Sequence, residues 1–459
     1  MTFLNHIYKF KSKLAISDGK EKYTYSSIEK KSKSYCKKIN KRSLVFLIFD
    51  NDINSVLFYL GLLKNKCVIF PLNQNIKIEN LNELIKNYQP NFIITSRKDL
   101  NIKNFENFAI IKSSKVLKNN LSIKHKLNKD LCLLMSTSGT TGSPKLVKLS
   151  YSNYLDNTKK IIKSLSLKNT DKVITTLPLS YTYGLSILNS HLFVGSTIHL
   201  NKNPITKKDF WDIYKKFKPT IFYGVPFIYE MLKRFTFKEF FNNNLRLFAN
   251  AGGSISDKLL KEIIKISLNY NIPFYQMYGQ TEASPRMSLL EPKFNLSKFN
   301  SIGKPLVGGK FQIIDSKEKI INKPFKIGEL VYHGKNVCMG YCNNFKDLSL
   351  GNINKFKLFT GDLAYFDNNN FFFIKGRKKN FIKIFGNRID LEHLEKFFLN
   401  KGFKIKILNQ NNIIVICYNK KDIDKEIIFK IMNENFNINK NYVTFKFVKN
   451  IKYNQNKNL

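Results

Sequence analysis

The chain is predicted to be an α/β protein, with a large N-terminal domain of parallel sheets covered by helices and a small α+β C-terminal domain. Two observations support this prediction. Strand and helix patterns alternate through the first half, and a second, shorter alternation begins beyond residue 376. Strands that alternate with helices are typical of parallel sheets with helical crossovers.

The first half supplies the clearest elements. Residues 43–49 and 67–71 are apolar runs that predict buried strands, and residues 53–63 between them predict a helix. The pattern resumes with a helix over residues 153–164 and strands over residues 172–176 and 220–224. This repeated βαβ pattern predicts that parallel sheets form most of the N-terminal domain.

The texture of the chain changes after residue 303. Residues 303–341 contain short strands separated by glycines, which predict a small β-barrel or β-meander packed on the α/β body. Beyond residue 376, a strand pair precedes a helix, the strand 412–418, the helix 422–436 and the strand 443–448. We therefore divide the chain into an N-terminal core domain, residues 1–377, and a C-terminal domain, residues 378–459.

The composition is strongly basic. There are 77 Lys and Arg against 33 Asp and Glu, a net charge of +44, while 43% of residues are hydrophobic, as in globular proteins. Because the lysines are spread through nearly every segment, they favour an AT-rich coding sequence over a surface specific for nucleic acid. An acidic protein partner is retained as an alternative.

We expect a cytoplasmic protein without a membrane span. The 6 cysteines are scattered without paired spacing, and the first residues do not resemble a signal peptide. The apolar stretch 56–72 is interrupted by lysines and is too short to cross a bilayer.

Residues 136–145, with the sequence STSGTTGSPK, form the most informative stretch. Glycines let backbone N–H groups turn toward an anion, hydroxyls add donors, and Lys145 adds charge. A solvated linker has a similar composition, but apolar strand patterns lie directly before and after this stretch. The sequence therefore favours a phosphate-binding loop, although the spacing of a Walker P-loop is absent.

Four further segments concentrate unusual chemistry. They are LPLSYTYG at residues 177–184, YGQTE at 278–282, TGD at 360–362, and the stretch 376–388 with its clustered cations. Each of these segments alone is weak evidence of function, because similar sequences occur in ordinary turns. Their occurrence in this order, behind the phosphate-like loop, is specific.

Together these segments resemble the acyl-adenylate-forming superfamily, which includes acyl-CoA synthetases, luciferases and the adenylation domains of peptide synthetases. The resemblance covers essentially the whole chain. The family signature [ST]SG[ST]TGxPK matches residues 137–145 at every position. Shorter matches lie at residues 224–226, 251–253, 328–330 and 340–341, whereas Lys66 stands where a glycine is usual.

The resemblance implies an acid–thiol ligase. ATP would activate a carboxylic acid as an acyl-AMP with release of pyrophosphate, and the acyl group would pass to the thiol of CoA. Phosphopantetheine on an acidic carrier protein supplied in trans is the other acceptor considered. An amine or sugar acceptor is one alternative; a non-catalytic relative whose basic surface binds nucleic acid or anionic membrane is another.

The resemblance also implies roles at the nucleotide. Tyr278 and Gly279 would lie at the adenine, Thr281 would bond the α-phosphate, and Glu282 would help to hold Mg²⁺. Asp362 would accept the ribose hydroxyls with help from Arg377, although Glu282 and Asp362 also fit a helix start and a turn cap. The loop would hold the β- and γ-phosphates of ATP through Thr137, Ser138, Gly139, Thr140, Thr141, Gly142 and Lys145. Gly252 is also expected to contact the nucleotide.

Further roles fall in the C-terminal domain, which rotates between half-reactions in this family. Lys379 would be the hinge, and Lys383 and Gly386 would lie on the loop used for thioester formation. Lys457 would neutralise charge between the acid and the α-phosphate. Its motif is degenerate, so Lys452 is retained as a substitute.

The class of acid is indicated by an aspartate that this chain lacks. Relatives that activate amino acids usually place an aspartate in the aromatic turn, where this chain has Ser180, Tyr181 and Thr182. An acid without a free α-amine is therefore favoured. The residues predicted to line its pocket are Tyr181, Tyr183, Tyr223, Asn250, Ala251 and Gly252.

Overall fold

Two large sheets, of nine and eight strands, carry most of the chain in the computed structural model. The structure describes residues 3–136, 145–235, 240–241, 244–377, 381–384, 387–403, 405–410, 413–419 and 423–448. Contacts divide the described chain into two compact units. The larger comprises the described residues up to Thr360 with Ala364–Lys375, and the smaller comprises Gly361–Leu363 and the described residues from Gly376 onward.

The strands and helices alternate along the larger unit and continue into the smaller one. The strands are β1 (Leu14–Ser17), β2 (Lys22–Thr24), β3 (Leu44–Phe49), β4 (Val68–Asn73), β5 (Phe92–Thr95), β6 (Phe105–Ile111), β7 (Ser114–Asn119), β8 (Leu131–Ser136), β9 (Leu146–Ser150), β10 (Lys172–Ile174), β11 (Thr197–His199), β12 (Ile221–Gly224), β13 (Leu247–Asn250), β14 (Phe274–Tyr278), β15 (Ser288–Leu290), β16 (Lys304–Pro305), β17 (Lys310–Ile314), β18 (Gly328–His333), β19 (Gly340–Cys342), β20 (Lys357–Phe366), β21 (Phe372–Arg377), β22 (Phe381–Ile384), β23 (Asn387–Asp390), β24 (Lys406–Gln410), β25 (Ile413–Tyr418) and β26 (Val443–Phe447). The helices are α1 (Phe3–Ile7), α2 (Tyr25–Tyr35), α3 (Ile53–Lys64), α4 (Ile78–Tyr88), α5 (Tyr151–Ser164), α6 (Thr182–Val194), α7 (Lys208–Phe217), α8 (Pro226–Phe235), α9 (Asp257–Asn269), α10 (Leu391–Asn400) and α11 (Lys425–Phe436).

The eight-stranded sheet has the order β19-β9-β8-β4-β3-β5-β7-β6. Strand β3 is parallel to β4 and β5, and all six of its residues are buried. Residues 44, 46 and 48 face one hydrophobic cluster, which includes α4, while residues 45, 47 and 49 face another, which includes α3. Because successive side chains of a strand point to opposite faces, a continuous apolar run of this kind is buried on both sides.

The nine-stranded sheet has the order β16-β15-β14-β13-β12-β10-β11-β1-β2. Its central strands from β14 to β1 are parallel, and β2, β15 and β16 pair antiparallel at the edges. The largest hydrophobic cluster contains residues from both sheets together with α3 and α6. Both helices are apolar on nearly every side because they lie within this core.

The glycine-rich stretch after residue 303 contributes strands to two different sheets. Strands β17 and β18 pair antiparallel and join β20 and β21 in a four-stranded sheet. Strand β19 instead pairs with β9, at the edge of the eight-stranded sheet. Short strands between glycines do not specify their partners, because pairing depends on distant segments of the chain.

The smaller unit has the α+β character that its sequence predicts. Strands β22 and β23 form an antiparallel pair, and β24, β25 and β26 form a three-stranded sheet. Helices α10 and α11 supply Leu394, Phe398 and Met432 to a hydrophobic core shared with these strands. The boundary predicted near Lys379 lies outside the described residues. Among the residues described, no helix has the length and apolar character to cross a membrane.

The contact between α2 and α3 depends on Gly61. A Cβ at this position would lie 2.3 Å from the carbonyl oxygen of Ser32 and 2.6 Å from Cys36 Sγ. Gly61→Ala is therefore expected to lower the free energy of unfolding by about 1–3 kcal/mol, since an overpacked core must shift its backbone. Urea denaturation followed by the fluorescence of Trp211, the single tryptophan, measures this change.

Gly351 provides a matched control. A Cβ there would lie 3.7 Å from Asn128 Nδ2, which is ordinary van der Waals contact. Gly351→Ala is expected to change the free energy of unfolding by no more than about 0.5 kcal/mol. Equal unfolding midpoints for the two variants would contradict the role of Gly61.

Candidate active site

Several of the predicted segments, all within the larger unit, meet at one edge of the nine-stranded sheet. Strands β12, β13 and β14 are parallel neighbours, and their register pairs Gly224 with Asn250 and Asn250 with Gln276. Tyr223, Asn250 and Tyr278 therefore lie at the carboxyl ends of adjacent strands. In open parallel sheets this edge is where ligands bind.

The loop after β14 folds back tightly on itself. A Cβ on Gly279 would lie 1.7 Å from the carbonyl oxygen of Pro285, so only glycine fits. The Tyr278 carbonyl accepts a hydrogen bond from the backbone N–H of Met287 at 2.9 Å. The Tyr278 ring packs edge-on against Phe311, with 6.3 Å between centroids. The predicted adenine residue thus stands on a short, closed loop.

Thr281 begins a 3-10 turn, Thr281–Ala283, within this loop. Its Oγ1 lies 3.2 Å from Thr182 Oγ1, in the first turn of α6. The predicted α-phosphate residue is therefore joined to the aromatic segment 177–184, which the sequence had singled out separately.

Glu282 is buried and firmly held. Tyr341 Oη donates a hydrogen bond to Glu282 Oε1 at 2.9 Å, and the backbone N–H of Cys338 donates to the Glu282 carbonyl at 2.8 Å. The sequence had marked residues 340–341 as a motif without a role. The structure shows that Tyr341 orients the carboxylate predicted to hold the metal.

Asn336 is a supporting residue that the sequence did not reveal. Its Nδ2 donates to the carbonyl oxygen of Ala283 at 2.6 Å, and its own carbonyl accepts from Ser284 Oγ at 2.8 Å. Tyr332 Oη and Lys160 Nζ donate to its Oδ1 at 2.8 and 3.0 Å. One asparagine in an asparagine-rich chain gives no signal of such a role.

The acid-pocket residues form an aromatic group with a buried charge. The rings of Tyr183 and Tyr223 meet edge to face at 6.2 Å, and Arg286 Cζ lies 4.6 and 5.1 Å from their centroids. Tyr223 Oη is hydrogen-bonded to His191 Nε2 at 3.1 Å. Arg286 was not among the predicted site residues, since an arginine after a turn is unremarkable in sequence.

Burial keeps the aromatic group uncharged apart from the guanidinium. It raises the pKa of Tyr223 to about 12, with Arg286 acting in the opposite direction, and it lowers the pKa of His191 to about 3. The pKa of Tyr183 is likewise raised by burial. Both tyrosines and the histidine are therefore neutral near pH 7.

The remaining pocket residues line the ends of the strands. Asn250 and Ala251 are buried, and Asn250 Nδ2 donates to the Gly253 carbonyl at 3.2 Å. Gly252 has a φ of +82°, and a Cβ on it would lie 3.2 Å from Tyr181 Oη. Tyr181 itself is half-buried directly before α6. The six predicted pocket residues thus belong to the same unit and the same edge of the sheet.

Asp362 and Arg377 belong to the smaller unit. Asp362 is buried on β20, and its Oδ1 forms an ion pair with Arg377 Nε on β21. The resemblance assigned both residues to the ribose, and the structure brings them together.

Several predicted residues lie outside the described part of the chain. They are Thr137, Ser138, Gly139, Thr140, Thr141, Gly142, Lys379, Gly386, Lys452 and Lys457. Lys383 lies on β22, but its side chain is also outside the description. Strands β8 and β9, which border the loop, pair antiparallel with Ser136 opposite Leu146, and Lys145 is exposed. The expectation that two strands flank the loop is met.

The donor set at Glu282 fits Mg²⁺ better than a metal that needs a full protein cage. No group of three or more His, Cys, Asp or Glu able to hold a metal occurs within the described residues. Mg²⁺ is commonly held by one or two carboxylates together with substrate phosphates. A single oriented carboxylate is therefore compatible with Mg²⁺ bound alongside ATP.

Comparison with known proteins identifies the family. The family described as AMP-binding enzyme matches residues 3–342. The 2-succinylbenzoate–CoA ligase of Bacillus cereus (strain AH820) is 27% identical over 398 residues, which cover 84% of this chain and 80% of the relative.

Solved structures agree with this assignment at the level of the fold. The o-succinylbenzoate CoA synthetase of Bacillus subtilis, a double mutant bound with a product analogue, has a TM-score of 0.77 at 19% identity and covers 99% of this chain and 96% of its own. The same enzyme in complex with ATP and magnesium ion has a TM-score of 0.67 at 20% identity, covering 98% of this chain and 96% of its own. The predicted α/β fold, with a large N-terminal and a small C-terminal domain, is thereby confirmed.

The motifs along the chain, the sheet edge at which several of them meet within the larger unit, and the family match agree. The chain belongs to the AMP-binding enzyme family and is an enzyme similar to acyl-CoA synthetases.

Proposed function

We propose that this enzyme is an AMP-forming acid–CoA ligase acting on a carboxylic acid without a free α-amine. The observation that carries the proposal is the loop 278–286, where Thr281 and Glu282 are fixed beside the aromatic pocket. CoA is preferred over a carrier protein because the matched relatives are named CoA ligases.

The chemistry proceeds in two steps. A carboxylate oxygen attacks the α-phosphorus of ATP, the bond to the β-phosphate oxygen breaks, and pyrophosphate leaves. The thiolate of CoA then attacks the acyl carbon, the bond to AMP breaks, and a thioester and AMP are formed. AMP is a far better leaving group than oxide, so the first step makes the second one feasible.

Each half of the nucleotide has an assigned set of residues. Thr281 Oγ1 donates a hydrogen bond to the α-phosphate, while Glu282 carries the metal that screens phosphate charge. Tyr278 packs on the adenine, and Asp362 accepts the ribose hydroxyls with Arg377 beside it. The loop 137–145 binds the β- and γ-phosphates, since its glycines and hydroxyls suit an anion.

Roles in the C-terminal domain follow from the family resemblance. Lys457 neutralises charge on the attacking carboxylate and the α-phosphate, with Lys452 as the substitute. Lys379 is the hinge between the two half-reactions, and Lys383 and Gly386 accompany thioester formation.

A screen of acids tests the function directly. Pyrophosphate release is measured with ATP, Mg²⁺ and short, long, aromatic and hydroxy acids, including 2-succinylbenzoate, with amino acids for comparison. At least one acid without an α-amine is expected to release pyrophosphate and to yield a CoA thioester by mass spectrometry. Transfer only to a carrier protein, an amine or a sugar would replace CoA as the acceptor, and no release with any acid would refute the proposal.

Glu282→Gln is expected to lower kcat/KM for adenylation by about 100-fold or more, because the neutral amide binds Mg²⁺ poorly. Pyrophosphate release as a function of Mg²⁺ concentration measures the effect, and the variant is expected to need more Mg²⁺. Glu291→Gln is the control, since that exposed carboxylate forms a surface ion pair with Lys293. An unchanged Mg²⁺ requirement in Glu282→Gln would show that Glu282 does not bind the metal.

Asp362→Ala is expected to weaken the use of ATP by about 10- to 100-fold, because the hydrogen bonds from both ribose hydroxyls to the carboxylate are lost. A smaller loss, that of one hydrogen bond, is expected when the wild-type enzyme is given 2′-deoxy-ATP or 3′-deoxy-ATP. In the variant, the deoxy nucleotides and ATP are expected to perform alike. A full additional penalty for the deoxy nucleotides would show that another residue reads the ribose.

A further inference from the structure

Arg286 is the buried cation for which the described chain provides the fewest partners. Three cationic side chains are buried among the described residues: Lys148, Lys160 and Arg286. Lys148 Nζ donates to the carbonyls of Asp347 and Leu350, at 2.9 and 3.1 Å. Lys160 Nζ pairs with Asp156 at 2.7 Å and also donates to Asn336. Both lysines therefore have oxygen partners that compensate for their removal from water.

The guanidinium of Arg286 is placed differently. It is 1% exposed, stacks near the rings of Tyr183 and Tyr223, and donates through Nη1 to the sulfur of Met277 at 3.4 Å. The guanidinium also lies close enough to the Tyr223 hydroxyl to act against the rise of the Tyr223 pKa, but its Nε and Nη2 have no hydrogen-bond partner of ordinary geometry among the described residues, and none of the ion pairs found there includes it. Cation–π contacts offset only part of the cost of burying a charge that cannot be released.

The two unpartnered nitrogens have a defined geometry. Nε and Nη2 form one edge of the planar guanidinium, and their N–H groups point in parallel. This edge matches the two oxygens of a carboxylate, which accepts both hydrogen bonds at once. A lone carbonyl or hydroxyl would use only one of them. The free edge therefore favours an anionic ligand.

The backbone holds Arg286 in place independently of any ligand. Its carbonyl accepts hydrogen bonds from Asn157 Nδ2 at 2.7 Å and from Asn336 Nδ2 at 3.3 Å. The rings against which it packs, Tyr183 and Tyr223, belong to the predicted acid pocket. The positive charge is thus fixed at that pocket, and Tyr183 Oη there also lacks a partner among the described residues.

We propose that Arg286 binds a second carboxylate of the acid, remote from the carboxylate that is adenylated. The substrate class is then a dicarboxylic acid, or an acid with an equivalent anion at its far end. This inference rests on the proposed function, because it concerns the acid that the ligase activates.

The test compares matched acids. Pyrophosphate release is measured with dicarboxylic acids of increasing length, aliphatic and aromatic, and with the monomethyl ester of each. The wild-type enzyme is expected to prefer the best diacid over its monoester by about 10- to 100-fold in kcat/KM, the value of a charge-assisted hydrogen-bond pair. Arg286→Met is expected to remove this preference by lowering activity on the diacid about 10- to 100-fold more than activity on the monoester.

Two further variants separate recognition from folding. Arg286→Lys keeps the charge but loses the two-pronged edge, so an intermediate preference is expected. Arg97→Met removes an equal charge from a partly exposed pair with Asp99 and is expected to leave the preference intact. Should Arg286→Met fail to fold, the diacid-to-monoester ratio of kcat/KM in the wild-type enzyme and in Arg286→Lys still tests the inference.

Equal use of diacids and monoesters by the wild-type enzyme would overturn the inference while leaving the ligase function standing. An equal loss on both kinds of acid in Arg286→Met and Arg286→Lys would assign Arg286 a structural role. Failure of every acid to release pyrophosphate would overturn the proposed function, and this inference with it.

Discussion

The close approach of Gly279 to the carbonyl of Pro285 is the contact on which the site depends. With 1.7 Å between that oxygen and the place a Cβ would occupy, no other residue allows the loop to close. Closure puts Thr281, Glu282 and Arg286 within one short segment at the end of β14. From this one turn, Thr281 reaches the Thr182 hydroxyl and Glu282 accepts a hydrogen bond from Tyr341. Arg286 packs on two tyrosine rings from the same turn.

The loop is held from outside by segments that come later in the chain. Asn336 bonds its backbone at Ala283 and Ser284, and Tyr341 bonds the Glu282 carboxylate. The Asn336 side chain is itself satisfied by Tyr332 and Lys160. A buried polar network stabilises a single arrangement when all of its members are paired, and it is costly when they are not. The loop and its support must therefore form together, although about 50 residues separate them.

The positive charge of Arg286 lies among neutral side chains. Burial raises the pKa values of Tyr183 and Tyr223 and lowers that of His191, so none of these groups carries a charge near neutral pH. A guanidinium in such surroundings is screened by few water molecules and acts strongly on any nearby anion. The burial of these aromatic groups therefore leaves the charge of Arg286 only weakly screened.

Local pattern determined the elements and the family. The apolar runs at β3 and β4 and the glycine loop at residues 136–145 are legible in sequence because burial and turn formation act over a few residues. Tyr278, Thr281, Glu282 and Asp362 were identified by their order along the chain, which fixed no contacts between them. Only tertiary structure decided that β19 leaves the glycine-rich region to pair with β9, that Tyr341 and Asn336 support the Glu282 loop, and that Arg286 is buried against two tyrosines. Such contacts join residues far apart in sequence, and burial of a charge is a property of what surrounds it.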